Sequence, residues 1–414
     1  MGNSSIFLYV ILWILGWGIV GGMVTPRIYL RKDLDISQAG LGGAAIGAAI
    51  GPFGLIPLWI YTPTISGRWV GGAGLIILAI ITIAFARAFP DNLCVANGDF
   101  VASQLTNGIV IGLIYSLMAL GLTLIFSILG VVSFAHGEFY MVGGMVVYFM
   151  STSALFAGLS PVVWLLGAAI LTFSIGVIFE MIFLRPMGSG KIERPGEYAI
   201  LVTFGLAFFL QYLTQALVGA SPVKTQRFFS FGRISFPSET GSLIKTTPGN
   251  ITLFDAASIP NPRFTAALIA IAMLLILLWF LYKTWTGRAL RAVAQDRQAA
   301  AVTGINPNTM NTLAFGLGAM LAGISGASLI QVFSWLPQVG IPAAARSFVI
   351  IVLGGMGSLP GAFLGGLVVG LVEALGTGCI PDPTRAASYI PAYGMILLTL
   401  TLLLKPTGFF GREL

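Results

Sequence analysis

The stretch Gln104–Leu129 reads QLTNGIVIGLIYSLMALGLTLIFSIL and contains no Asp, Glu, Lys, Arg or His. As a helix rising 1.5 Å per residue it would be about 39 Å long, more than the roughly 30 Å hydrocarbon core of a bilayer. A helix on the surface of a soluble domain carries a polar face opposite its apolar stripe. Here the apolar side chains run all round, so the segment reads as a membrane span. Similar charge-free windows are Ile6–Val24, Ala39–Tyr61, Phe139–Leu159, Tyr198–Val218, Phe264–Tyr282, Thr312–Trp335, Ser347–Val372 and Tyr389–Leu404. Two more, Gly71–Phe89 and Pro161–Leu184, hold one charge each, Arg87 and Glu180. The expected fold is an all-α polytopic membrane protein with about 10 transmembrane helices.

Composition points the same way. The chain has 414 residues, 57% hydrophobic and 8% charged, with a mean hydropathy of +0.95. Soluble domains carry about 25% charged residues. A soluble enzyme, a nucleic-acid reader and a disordered protein are all excluded. The net charge of +7 sits mostly in short connectors, where basic residues act as orientation signals. His136 is the single histidine, which argues against histidine-rich metal sites and histidine proton chains. The two cysteines, Cys94 and Cys379, are too few for a structural zinc site. The first window lacks a basic segment before it and reads as a retained helix rather than a signal peptide.

Sidedness follows from the loops that flank Phe264–Tyr282. The loop Gly219–Arg263 carries five basic residues and the segment Lys283–Asn311 carries four, but those of the second are packed into its first half. Dense basic residues close to a span favour the inside. Residues 219–263 are therefore expected as an external loop and residues 284–311 as a cytoplasmic segment. Arg185–Glu197 then also falls inside.

Two glycine-rich stretches interrupt the apolar pattern. Leu353-Gly-Gly-Met-Gly-Ser-Leu-Pro-Gly361 places Gly354, Gly355, Gly357, Pro360 and Gly361 within nine residues, so a broken or re-entrant segment is expected near 347–378. After it, Gly361, Gly365, Gly366 and Gly370 form small-xxx-small pairs suited to close helix contact. The other break, Gly130-Val-Val-Ser-Phe-Ala-His-Gly-Glu138, holds His136, Gly137 and Glu138. Ionisable groups at membrane depth are functional candidates. The simpler reading puts them at the membrane edge, with Ser133 and Glu138 capping the next helix. Glu180 and Glu373 are read as interfacial. Paired breaks are expected of transporters built from repeats.

The cytoplasmic segment from Arg288 to Thr303 is alanine-rich and helix-forming, with Gly304 placed to end it and Pro307 to prevent continuation. Its alanines would anchor weakly in lipid but suit a close-fitting groove on another protein. Gly188-Ser-Gly-Lys191 fails as a phosphate loop, because Arg185 and Ile192 stand where a glycine and a Ser or Thr are required.

Gly287-Arg-Ala-Leu-Arg-Ala-Val-Ala-Gln-Asp296, followed by Ala299-Ala-Ala-Val-Thr-Gly-Ile-Asn306, resembles the cytoplasmic coupling segment of branched-chain amino-acid ABC-transporter permeases. Val131–Glu138 and Val352–Gly366 are similar to that family's other two hallmarks, in the same order. The resemblance covers about Gln104 to Gly411. Residues 104–414 are then a permease domain, and residues 1–103 an N-terminal extension with two or three membrane helices that the family pattern lacks. It implies a non-enzymatic permease subunit of an ATP-driven importer in the bacterial inner membrane. Its substrate would be branched-chain or other neutral amino acids, or urea and short amides. Gly287, Arg288, Arg291, Ala292, Asp296 and Gly304 would couple to the ATPase. The chain itself would carry no cofactor, ATP and Mg²⁺ being held by two cytoplasmic ATPase subunits. A second permease (homologous, or a copy of this chain) and an external solute-binding protein would complete the assembly. The alternative is a self-sufficient channel or ion-coupled carrier for small neutral solutes. Cys94 and Cys379 both fall on the external side, where disulfides persist. Whether they pair is left open, because sequence does not set their separation.

Overall fold

A computed structural model describes residues 92–189, 192–229, 235–238, 241–246, 249–253, 257–379, 386–404 and 407–411. The windows at Ile6–Val24, Ala39–Tyr61 and Gly71–Phe89 lie outside the described residues. In chain order the elements are α1 (Leu93–Ala96), α2 (Gly98–Leu129), α3 (His136–Thr152), α4 (Pro161–Phe179), α5 (Pro195–Val218) and strands β1 (Ser235–Ser238), β2 (Gly241–Thr246), β3 (Asn250–Leu253) and β4 (Ala257–Pro260). Then come α6 (Asn261–Lys283), α7 (Trp285–Gln295), α8 (Arg297–Val302), α9 (Pro307–Leu329), α10 (Gly340–Gly354), α11 (Leu359–Cys379) and α12 (Ile390–Leu404). Among the described residues seven helices are long and apolar enough to cross a membrane. The protein is an all-α polytopic membrane protein, with a small sheet added.

The chain divides into two compact units, Met1–Thr106 with Val372–Pro406, and Asn107–Leu371 with Thr407–Leu414. In the first, Asn97 starts α2 by accepting from the amides of Asp99 and Phe100 at 3.0 and 3.3 Å. Cys94 and Cys379 form a disulfide with Cα atoms 5.3 Å apart, and Asn92 Nδ2 donates to the Cys379 carbonyl at 3.0 Å. The Tyr393 hydroxyl of α12 donates to the Gly376 carbonyl at 3.0 Å.

In the second unit α9 is the central helix. Its apolar window is 83% buried, against 17% for α5, whose Phe204, Phe208 and Tyr212 stack along an outer face. Ser160 and Asn306 cap α4 and α9, each followed by a proline whose missing N–H costs nothing there. Glycines bring the neighbours of α9 to backbone contact. A Cβ on Gly143 of α3 would overlap Gly323, one on Gly326 would overlap the Tyr140 carbonyl, and one on Gly176 of α4 would lie 2.8 Å from Ala319. Without a hydrophobic driving force between helices in lipid, such close approach supplies the packing energy.

Three expectations change in detail. The loop after α5 holds an antiparallel meander, β1-β2-β3-β4, in which Ile251 and Ile259 pair across β3 and β4 and are buried. Ile259 packs on Val110 and Ala267, which gives those strands their apolar face. The window Phe139–Leu159 is helical only to Thr152, and turns lead on to Ser160. The expected break near 347–378 lies at Gly355–Ser358, but its arms are longer than the window implied. With the 3₁₀ turn before α10 the first runs Pro337–Gly354 and the second Leu359–Cys379, and both are long and apolar enough to cross a bilayer.

Candidate functional site

The second break is a turn held from both sides. Gly355 and Gly357 have φ of 98° and 83°, conformations that cost a side chain dearly. Gly354 lies against Gly361, and a Cβ on Gly365 would come within 2.8 Å of the Ile350 carbonyl, so α10 and α11 meet in antiparallel contact. Ser358 Oγ accepts from the Gly361 amide at 3.2 Å, and Pro360 occupies the first turn of α11, where no N–H is needed. The carbonyls orphaned at the end of α10 find partners downstream in sequence. The amides of Phe409 and Phe410 donate to Leu353 and Gly354, each at 2.9 Å. Gly408 and Gly411 pack directly on Gly355.

The first break differs from its expected form. α3 begins at His136 without a side-chain cap, and Ser133 Oγ has no hydrogen-bond partner. The hydrogen-bonded cap expected of Ser133 and Glu138 is therefore absent, while Glu138 does lie in the first turn of α3. Both residues and His136 are buried within the protein. His136 Nε2 meets the Met118 carbonyl of α2 at 2.8 Å, while its Nδ1 is unpartnered. Glu138 packs its carboxylate on Gly340, at the start of α10, where the helix dipole favours negative charge. Gly137 touches Gly340 and Ala344. The two breaks thus meet through α10: its N-terminus rests on 137–138 and its C-terminus forms the Gly355 turn.

The segment expected at the cytoplasmic side, residues 284–311, is two short helices rather than one. Asp296 has φ −151° and ψ 111°, and its Oδ1 accepts from the amides of Gln298 and Ala299 at 2.8 and 2.9 Å. It ends α7 and caps α8, because Asp bonds local amides better than it continues a helix. Thr284 caps α7 by accepting from Gly287, and Gly304 closes α8 with φ 89°. Gly287, Ala289, Leu290 and Val293 are buried against the bundle, with Gly287 on Leu281. Arg288 is exposed, Ala292 is half-buried, and Arg291 lies over the Tyr282 ring at 4.5 Å. On α8 the small apolar residues turn outward: Ala299 and Ala301 are exposed and Val302 is 89% exposed.

Comparison with known proteins decides the family. The model for the branched-chain amino acid transport system permease component matches residues 104–404. The chain belongs to that permease family. It is 31% identical over 320 residues to the high-affinity branched-chain amino acid transport system permease protein LivH of Salmonella typhimurium, covering 76% of this chain and 96% of that protein. BraD of Pseudomonas aeruginosa, a permease protein of the same kind, is 31% identical over 319 residues, covering 75% and 95%. LivM of Salmonella typhimurium, a further permease protein of a branched-chain amino acid system, is 25% identical over 309 residues, covering 72% and 66%. No solved structure gives a significant match.

In this permease, two features escaped the sequence reading. Residues 407–411 close the Gly355 turn, although nothing in an apolar C-terminal window marks them as its partner. Glu180 and Glu373 are buried within the protein, at 1% and 7% exposure, which their places near the ends of apolar windows did not indicate. A signal for Glu180 existed in the polar residues it meets, Arg185 and Thr312, but Thr312 is 132 residues away.

Proposed function

We propose that this permease is the membrane-spanning subunit of an ATP-driven importer of branched-chain or other neutral amino acids in a bacterial inner membrane. Hydrolysis then takes place on two separate cytoplasmic ATPase subunits, which hold ATP and Mg²⁺. The observation that carries this reading is the α7–α8 segment. One face is buried on its own bundle, and the other exposes Ala299, Ala301 and Val302 in a short helix capped at both ends. Small apolar side chains on a rigid, capped helix suit insertion into a protein groove, where little side-chain entropy is lost on docking.

A second permease fits beside it, since LivH and LivM of one organism are both similar to this chain. An external solute-binding protein would bring the substrate and most of the selectivity. The Cys94–Cys379 bond supports an external location for that face, because disulfides persist in oxidising compartments. The turn at Gly355 is then cytoplasmic.

The test is reconstitution of the permease with its ATPases and binding protein in proteoliposomes, followed by uptake of labelled leucine and labelled urea. ATP-dependent leucine uptake supports the reading. Urea uptake alone would replace the substrate, and uptake driven by an ion gradient without ATP would replace the mechanism by that of a carrier.

A further inference from the structure

Below Phe179 the α-helical repeat of α4 gives way to a five-residue π turn, Glu180–Leu184, and then to a 3₁₀ turn from Arg185. π turns are rare and are frequently found at functional sites. This one turns Glu180 inward, where the residue is 1% exposed. The Thr312 hydroxyl of α9 donates to Glu180 Oε2, and Thr312 Oγ1 in turn accepts from Arg185 at 3.3 Å. The guanidinium groups of Arg185 and Arg297 both act on the carboxylate electrostatically. Arg297 is the first residue of α8, directly after the Asp296 cap. It also reaches Asn308 Oδ1 at 3.5 Å, and the Asn311 amide satisfies its neighbours only with its oxygen toward the same guanidinium.

The buried carboxylate therefore bonds the end of α4 to the start of α9, and Arg297 at the start of α8 reaches the same turn of α9 through Asn308 and Asn311 and acts on the carboxylate from there. Elsewhere α4 and α9 are in near-backbone contact, with Gly176 against Ala319 and Gly316 against Val177 and Phe173. A push on α8 that reaches Glu180 is passed to a pair of helices too closely packed to absorb it by side-chain rearrangement.

We propose that Glu180 is a positioning residue for coupling, tying α8 through Arg297, Arg185 and Thr312 to the α4–α9 pair so that displacement of α8 moves the central helices. This rests on the reading of the chain as an ATP-driven permease. Removing the charge should leave the docking surface of α8 in place and uncouple it from transport.

The experiment uses the assembled transporter in proteoliposomes and reads two rates per assembled complex, ATP hydrolysis and labelled-leucine uptake. Glu180→Gln keeps the size and an acceptor oxygen but loses the charge. It should retain at least half the wild-type ATP hydrolysis while leucine moved per ATP falls five-fold or more. Glu180→Asp should restore most of the ratio, which a role in packing alone would not permit, because a shortened side chain packs worse. Thr312→Ala should lower the ratio in the same direction, and it decides the matter if Glu180→Gln fails to accumulate in the membrane. Combined with Arg297→Gln, Glu180→Gln should add little further loss, since both cut one network. A leucine-to-ATP ratio within two-fold of wild type in Glu180→Gln, or in Thr312→Ala where that variant decides, overturns the proposal. Absence of ATP-driven uptake in the wild-type assembly would instead overturn the importer reading, so the two failures are distinct.

Discussion

Four glycines of the second unit separate two costs that usually come together. Gly355 has positive φ and also sits against the backbone of Gly411 and Phe410, with the Phe410 carbonyl carbon 3.0 Å from where a Cβ would be. Gly357 has positive φ but meets only Ser127, at 4.0 Å. Gly130 has positive φ and open space around it, whereas Gly354 is helical and lies on Gly361. Placing a side chain at positive φ costs about 1–2 kcal/mol. Forcing an atom into a packed contact costs typically 1–3 kcal/mol. Alanine at 357 or 130 should therefore cost about 1–2 kcal/mol, and alanine at 355 about 2–5 kcal/mol because the two terms add. The assay is the midpoint of thermal loss of monodisperse protein in a single detergent, with all four variants purified alike. Gly355→Ala should melt clearly below Gly357→Ala, and Gly357→Ala should match Gly130→Ala. If Gly355→Ala and Gly357→Ala melt together, residues 407–411 do not close the turn and the reasoning fails.

Maleimide labelling of the native, unreduced protein should find neither Cys94 nor Cys379, and both after reduction; Cys94→Ser should lower stability by about 2–5 kcal/mol. Two reactive thiols before reduction would contradict the bond. Ala301→Trp should abolish co-purification of the ATPases by volume alone while the permease stays folded. Arg291→Glu should act more weakly, since it removes a half-buried cation–π contact worth about 0.5–2 kcal/mol. Wild-type ATPase yield with Ala301→Trp would mean that α8 is not the docking surface.

The membrane fold was legible because spans are written in composition: Gln104–Leu129 can satisfy its backbone in lipid only as a helix. The Gly355 turn was legible for a related reason, since four glycines and a proline cannot continue a helix. What escaped has more than one physical cause. Asp296 was read as a polar position on one long helix because alanine propensity dominates the window average. Its side chain bonds two amides locally, and that outweighs propensity at a single residue. Ser133 has the sequence position of a cap but not the geometry. Glu180, Thr312 and the 407–411 tail depend on contacts between distant segments, which no local pattern encodes.

Glycine and charge divide the work in this permease. The glycines of α3, α4 and α9 fit helix on helix at backbone distance, and such an interface moves as a unit or not at all. A bundle built that way needs a lever attached where the packing ends, and a lever needs a bond that survives displacement. Dispersion contacts fall off within an ångström or so of separation. The attraction between a buried carboxylate and guanidinium groups near it falls off more slowly with distance. On the coupling proposed for Glu180, that difference in range accounts for a buried carboxylate placed where the chain leaves the α-helical repeat of α4, and not in the middle of the span.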